Sequence, residues 1–281
     1  MSNILTAIQS IVRNSNIDIQ ANQEGVQNRA NQMGDALEDY VKNAFANCLG
    51  LDTRSIKQAR SRVFSYLGNS NNPPDAMLNR GDAIEIKKLT TLGTSQLQLN
   101  SSYPKNKLHS TNPKLCNACR NCENWEEKDM LYVVGHVNGQ SLQDIFFVYG
   151  DLYCDAHEVY ENVENVIKEG LESLEGVELA ETNELGRVNK VDHLEISDLR
   201  VRGMWLIKTP FQHFDYLTED IVDYSFKLVA LIPEEKYNNF TNRNEFEEFC
   251  EENNVSISDE EIENPQNPAN FINSKLITYY C

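Results

Sequence analysis

The spacing of apolar positions changes period along this chain. In the first third they recur at helical intervals over about 3–14, 28–49 and 53–67, which predicts three helices. In the second of these, Leu37, Tyr40, Val41, Ala44, Phe45 and Cys48 make one stripe. The polar run from Gly68 to Pro74 is a loop by composition. Beyond it the period falls to two. Residues 74–90 predict a hairpin, residues 95–101 a further strand that Tyr103-Pro104 ends, and residues 129–150 two apolar strands around the turn dipeptide Asn138-Gly139. Helices are predicted over 113–128 and 155–174, and strands over 194–208 and 225–232. Residues 241–281 predict an appendage with a helix near 243–253 followed by loops. With no internal repeat, this pattern points to an α/β or α+β fold, a mixed central β-sheet flanked by helices. The expected division is a main domain over 1–230 and an acidic C-terminal extension over 231–281, packed on the same domain.

The 74–90 hairpin carries the chemistry. Strand side chains alternate, so register decides which groups share a face. A four-residue loop over 79–82 would set Asp75 opposite Ile86 and turn Glu85 to the wrong face. A three-residue loop, Asn79-Arg80-Gly81, sets Asp75 opposite Glu85, with Gly81 in the left-handed position that this loop type favours. Ala76, Leu78, Ile84 and Ile86 then form the buried face, and Asp75, Glu85 and Lys87 the other. Two carboxylates and a backbone carbonyl, that of Ile86, suit Mg²⁺, a hard ion that keeps several waters. Such an ion polarises a phosphate and acidifies a water, while Lys87 orients that water or stabilises charge on the phosphate. This is the chemistry of phosphodiester hydrolysis; the bland alternative is a solvated charged hairpin. On the second helix, at ~100° per residue, Glu38 falls at the edge of the apolar stripe while Asp35 and Asp39 point away. Glu38 is the acid placed to look across a protein–protein seam toward a neighbouring hairpin, or else a surface glutamate favoured near a helix N-terminus.

Pro74-Asp75…Glu85-Ile86-Lys87 matches the PD-(D/E)xK nuclease pattern. Beyond it, the segments NRANQMGDALEDYVKNAF (28–45), FSYLGNSNNPPDAML (64–78), GDAIEIKK (81–88), LNSSYPKNKL (99–108) and ETNELGRVNKVDHLEISDLRVRGMWLI (181–207) resemble the NgoPII-type Type II restriction endonucleases. The resemblance covers roughly residues 1–215 and leaves the tail after about 216 unplaced. It implies a restriction-endonuclease-like core and a Mg²⁺-dependent homodimer cutting the palindrome GGCC in duplex DNA. Asp75, Glu85 and Lys87 would be catalytic, with Glu38 as an accessory. The alternatives are a repair or recombination nuclease with the same motif, and a non-enzymatic zinc-containing DNA-binding protein.

Charge complicates this expectation. The net charge is −18, and DNA repels such a chain unless basic groups are concentrated locally. Residues 232–264 hold eleven acids against Lys236 and Arg243, so half of the excess lies in the tail. Residues 54–62, in contrast, carry Arg54, Lys57, Arg60 and Arg62 with no acid. Arg187, Arg200 and Arg202 are candidates to read guanine, with Arg200 and Arg202 alternating on one strand face; the competing reading is salt bridging to Glu184, Asp192, Glu195 and Asp198. Ser101, Ser102, Tyr103 and Lys105 are candidates for phosphate contacts. Cys116, Cys119 and Cys122 could supply three zinc ligands, with His109, Cys154 or His157 as a fourth, although the same spacing is ordinary helical packing. An odd number of cysteines, no export signal and no span long enough for a membrane lead to a cytoplasmic expectation with reduced thiols.

Overall fold

The computed structural model describes residues 1–15, 29–69, 72–99, 103–175, 177–182, 184–218 and 224–281, with the side chains of 29–34 and 69 left aside. In chain order the elements begin with α1 (Ile4–Arg13), α2 (Arg29–Phe45), α3 (Thr53–Val63), β1 (Phe64–Asn69), β2 (Asn72–Leu78), β3 (Ala83–Leu89), β4 (Gln96–Leu99) and β5 (Lys107–His109). They continue with α4 (Asn117–Arg120), β6 (Glu127–Asn138), β7 (Ser141–Tyr149), α5 (His157–Glu172), β8 (Glu178–Leu179), β9 (Gly186–Asn189), β10 (Leu199–Val201) and β11 (Trp205–Lys208). The last are α6 (Pro210–His213), β12 (Lys227–Pro233), α7 (Glu234–Asn238), α8 (Arg243–Glu252), β13 (Ser256–Asn264) and β14 (Asn267–Tyr280).

Among the described residues the main sheet runs β1-β2-β3-β6-β7-β12-β14-β13, with β5 added to β6. β3 is parallel to β6 and β7 to β12; the other neighbours are antiparallel. This is the mixed sheet that the period changes predict. Its two faces bury separate cores, as period-two alternation requires. Ala76, Leu78, Ile84, Ile86, Val133 and Phe147 meet α1, α2 and α8 on one face. Met77, Ala83, Tyr132, Phe146 and Val148 meet Cys119, Leu152 and Phe214 on the other. α1 is interior along most of its length, with Ile4, Leu5, Ile8 and Ile11 inaccessible and Arg13 exposed at its end. Its first turn is closed by the Asn3 side chain, which accepts from the Thr6 amide at 3.3 Å. α2 comes close to the sheet because Gly135 on β6 has no side chain; a Cβ there would lie 2.8 Å from a Leu37 methyl.

Three expectations need correction. The helix of 53–67 ends at Val63, because Phe64 and Tyr66 gain more by burial in strand β1 than by prolonging an otherwise exposed helix. The helix expected over 113–128 shrinks to Asn117–Arg120, since Leu115 and Cys119 are its only fully buried apolar side chains and β6 already begins at Glu127. Nor does the tail end in loops: β13 and β14 form a long hairpin, and β14 pairs with β12 from Lys227↔Tyr280 to Pro233↔Ser274. A line drawn between 230 and 231 therefore falls inside a central strand. Among the described residues no helix is long and apolar enough to cross a membrane.

Candidate active site

β2 and β3 pair through Ala76↔Ile84 and Met77↔Ala83, the register of a three-residue loop. The Leu78 amide donates to the Asp82 carbonyl at 2.9 Å and the Gly81 amide to the Leu78 carbonyl at 3.0 Å. The left-handed residue of this loop is Arg80 (φ 54°), not Gly81. Gly81 is needed for a different reason: a Cβ there would sit 3.0 Å from Leu78 Cβ. The loop is clamped from β6, where buried Lys128 donates to the carbonyls of Leu78 (3.1 Å) and Gly81 (2.7 Å) and pairs with Glu123 at 2.6 Å. Glu123 in turn accepts from the Arg80 amide at 2.9 Å.

Past Ile84 the β2–β3 ladder opens, and the acids occupy the gap. Asp75 Oδ2 accepts from the Ile86 amide at 2.6 Å. A strand residue turns its N–H and C=O to the same side, so the Ile86 carbonyl faces this gap too. Lys87 Nζ lies 2.6 Å from Glu85 Oε1, both side chains being half-buried. Burial, then the charges of Glu85 and Glu38, push the Asp75 carboxyl up to about 7, against the pull of Lys87 and the Ile86 amide. Burial works against the Lys87 charge, but Glu85, Asp75 and Glu38 outweigh it and hold the ammonium well above the usual lysine range. Glu38 thus lies close enough to the hairpin of its own chain for its charge to act on Asp75 and Lys87, and it pairs with Lys42 at 2.8 Å. Helical periodicity sets its place on α2, whereas the docking of α2 onto β3 depends on residues distant in the chain.

Asp75 is thus an acid whose negative charge is poorly tolerated until a cation arrives. Among the described residues no three His, Cys, Asp or Glu side chains converge tightly enough to hold a metal alone. Asp75 and Glu85 supply two carboxylates, the number that suits an ion which keeps several of its waters. The donors Asp75, Glu85 and the Ile86 carbonyl fit such an ion.

The other predicted residues fare differently. Ser101 and Ser102 lie outside the described residues. Tyr103 and Lys105 do not form an exposed phosphate-binding turn, being only 5% and 4% exposed. Tyr103 donates to Glu161 at 2.8 Å, and Lys105 Nζ donates to the Tyr103 carbonyl at 2.8 Å. The Lys105 backbone is bonded to the hydroxyl of Tyr132, the β6 residue opposite Glu85. Burial lowers the Lys105 ammonium to about 8, with Glu85 the strongest opposing influence. Arg187, Arg200 and Arg202 lie on or beside a separate three-stranded sheet, β10-β9-β8. Glu184 receives two bonds from Arg200 (2.9 and 2.6 Å) and one from Arg202 (2.6 Å), while Arg187 reaches Asp198 at 3.3 Å. These bonds, Arg200's first, hold Glu184 at about 2. The salt-bridging alternative is therefore met in the free protein, and all three guanidiniums stay largely solvent-facing.

The cysteine cluster does not assemble as a zinc site. Cys119 is fully buried against Met77 Sδ at 3.3 Å, and burial pushes its thiol up to about 12. Cys116 instead caps α4, its sulfur accepting from the Cys119 amide at 3.4 Å and lying 3.3 Å from the Tyr66 hydroxyl.

A mixed sheet in which a β-ribbon presents one acid on its first strand, and an acid and a lysine two residues apart on its second, is the architecture of a restriction-endonuclease-like nuclease. Residues 2–263 match the family model of the NgoPII restriction endonuclease. The Type II restriction enzyme NgoPII of Neisseria gonorrhoeae is 45% identical over 279 residues, 99% of each chain. No solved structure matches the chain. The chain belongs to the NgoPII restriction endonuclease family and is a Type II restriction endonuclease, a DNA-cleaving hydrolase. The match extends well past residue 215, where the likeness read from the sequence stopped.

Proposed function

We propose that two copies of this chain cut double-stranded DNA at GGCC by Mg²⁺-dependent hydrolysis, one active site acting on each strand. The observation that carries the catalytic part is the gap beyond Ile84, where Asp75, Glu85, Lys87 and the Ile86 backbone meet. The site GGCC is what the resemblance to NgoPII-type enzymes implies, and two-fold protein symmetry suits a palindrome. Asp75, Glu85 and the Ile86 carbonyl would hold the ion, with Glu38 behind them adding negative potential. When bound, Mg²⁺ supplies charge stabilisation at the phosphate and a more acidic water. Lys87, protonated and tethered to Glu85, orients the attacking water or takes up charge on the phosphate. The seven free cysteines accord with a reducing compartment, the cytoplasm. A digest of unmethylated plasmid with and without Mg²⁺, with the ends sequenced, tests this: discrete fragments ending within GGCC are expected, and smears or metal-independent cutting would refute it.

The raised Asp75 carboxyl gives a pH prediction. A carboxyl with a raised folded pKa stabilises the fold while protonated; that contribution is complete below the unfolded value of about 4 and is lost as the pH climbs through the folded value. In the metal-free chain the thermal stability of wild type relative to Asp75→Asn should therefore fall between about pH 4 and about pH 7, the window between the unfolded and folded values, and level off above it. Added Mg²⁺ should recover more stability at the upper end than at the lower. Parallel melting curves for the two proteins across that range would contradict the assignment.

Base reading is proposed for Arg187, Arg200 and Arg202, supported by their exposure and by guanidinium geometry. Glu184 must yield its arginines to the bases for this to happen. Alanine at an arginine that reads guanine should cost about 1–3 kcal/mol of cognate binding and relax discrimination at that base. Cleavage of a set of singly substituted sites reads this out; unchanged selectivity in all three variants would remove the arginines from recognition.

A further inference from the structure

We infer that the outer face of α5 together with the β8–β10 ribbon is the surface on which a second copy of this chain docks. The inference rests on the two-fold reading above and adds where the two-fold contact lies. Among the described residues, twelve of the seventeen exposed large apolar side chains fall within residues 159–206. On α5 these are Val159, Val163, Val166 and Ile167, with Leu174 just beyond its end. At ~100° per residue they fall on one stripe of the helix, away from Glu161, Glu164 and Lys168, which face the protein. Gly170 lies on the same stripe with open space above it, so a second backbone can approach closely. On the ribbon and its β9–β10 connection, Leu179, Val191, Leu194, Ile196 and Leu199 are exposed, Leu194 and Ile196 by more than three-quarters.

The ribbon lacks a core of its own. Of the residues in β8, β9 and β10 only Val188 is buried. A small sheet with one buried side chain needs a further surface to cover its apolar face. The ribbon and the helix stripe adjoin, because Gly186 of β9 is seated directly against the Leu171 side chain of α5.

A second copy is the occupant that the charges favour. Two chains of −18 repel each other unless they meet where charge is sparse or already paired, and on the ribbon the charges are paired within the chain (Arg187 with Asp198, Lys190 with Glu178, Arg200 and Arg202 with Glu184). The α5 stripe carries no charged residue and is edged by Asn162 and Ser173. The stripe offers DNA phosphates no cation to bind. The ten large apolar groups of the stripe and the ribbon make up a substantial part of the roughly 20–30 residues that each partner contributes to a stable interface. The same ribbon carries Arg187, Arg200 and Arg202, so ribbons paired about a two-fold axis would set two arginine groups side by side, as a palindrome requires.

The test is sedimentation velocity of the full chain, alone and with a GGCC duplex, for wild type, Val163→Glu/Val166→Glu, Leu194→Glu/Ile196→Glu and the control Phe271→Glu, an exposed apolar residue on β14. All of these side chains are exposed, and circular dichroism verifies that the variants fold. Wild type and Phe271→Glu should be dimers, and both double variants should dissociate about 30-fold or more readily, the scale of a hot-spot residue. A dimeric wild type with equally tight double variants would overturn the location while leaving the two-fold reading intact. Unchanged dimers with weakened duplex binding would assign the face to DNA. A wild type that stays monomeric alone and on the duplex would remove the two-fold reading, and this inference with it.

Discussion

Lys87→Ala should cut the rate of DNA cleavage by about 10²–10³-fold or more, the range seen when a single preorganised charge is taken from a transition state. The side chain projects from β3 into the gap beside Asp75 and Glu85 and is one-quarter exposed, so its loss opens no cavity in either core. The fold and the arginine-bearing ribbon lie apart from it, and duplex binding should be retained. Lys87→Arg keeps the charge but replaces a compact ammonium with a planar fork and should recover little activity. Removing the ammonium also takes away the main cation that lowers Asp75. The residual activity of Lys87→Ala should therefore need a higher pH than wild type. Single-turnover cleavage against pH, alongside duplex binding without metal, separates these effects. Undiminished scission would remove Lys87 from the chemistry, and equal loss of binding and cleavage would show damage to the fold.

What the sequence made legible was local. The hairpin register follows from loop length and strand alternation, and the same alternation places Ala76, Leu78, Ile84 and Ile86 in one core. The hairpin expected around Asn138-Gly139 joins β6 and β7, with its loop one residue further on: Asn138 pairs with Ser141, and Gly139 takes the left-handed first position of a Gly139-Gln140 turn. What stayed hidden depends on partners distant in the chain. Lys105 looks like a surface donor in its own segment, yet Tyr132 of β6 and Tyr103 enclose it behind Glu85. Arg200 and Arg202 meet on Glu184 only once the ribbon folds back. The acidic tail looked like a solvated appendage because its acids outnumber its bases; β13 carries many of those acids on exposed positions while β14 completes the sheet against β12. Composition describes the outer edge of that hairpin and says nothing of its inner strand.

Asp82→Ala should be among the most destabilising single substitutions outside the apolar core. Asp82 follows the turn of the catalytic hairpin and is 5% exposed. It accepts from the buried Tyr149 hydroxyl at 2.7 Å and from Lys236 Nζ at 2.5 Å, a partner 154 positions away in the tail. Lys236 also contacts Asp129 and lies 4.5 Å from the Tyr149 ring centre, while Lys107 bridges Asp129 and Asp151. Truncation at 82 leaves the Tyr149 hydroxyl without this acceptor and Lys236 with one acid instead of two. Breaking a buried pair costs about 3–5 kcal/mol, and because Lys236 is one-fifth exposed and retains Asp129, the lower end applies. That corresponds to a melting temperature lower by roughly 6–12 °C. A second consequence is functional: the turn sets the β2–β3 register, and a small displacement of Asp75 relative to Glu85 is costly in rate, by about 10²-fold for a shift of order 1 Å. Lys236→Met should show both effects more weakly, and the double variant should lose less than the sum of the two, because each single change already breaks the shared pair. Strict additivity in thermal melts would mean that the tail does not brace the hairpin through this contact. Lost stability with normal cleavage below the melting temperature would mean that Lys128 and Glu123 hold the register without it.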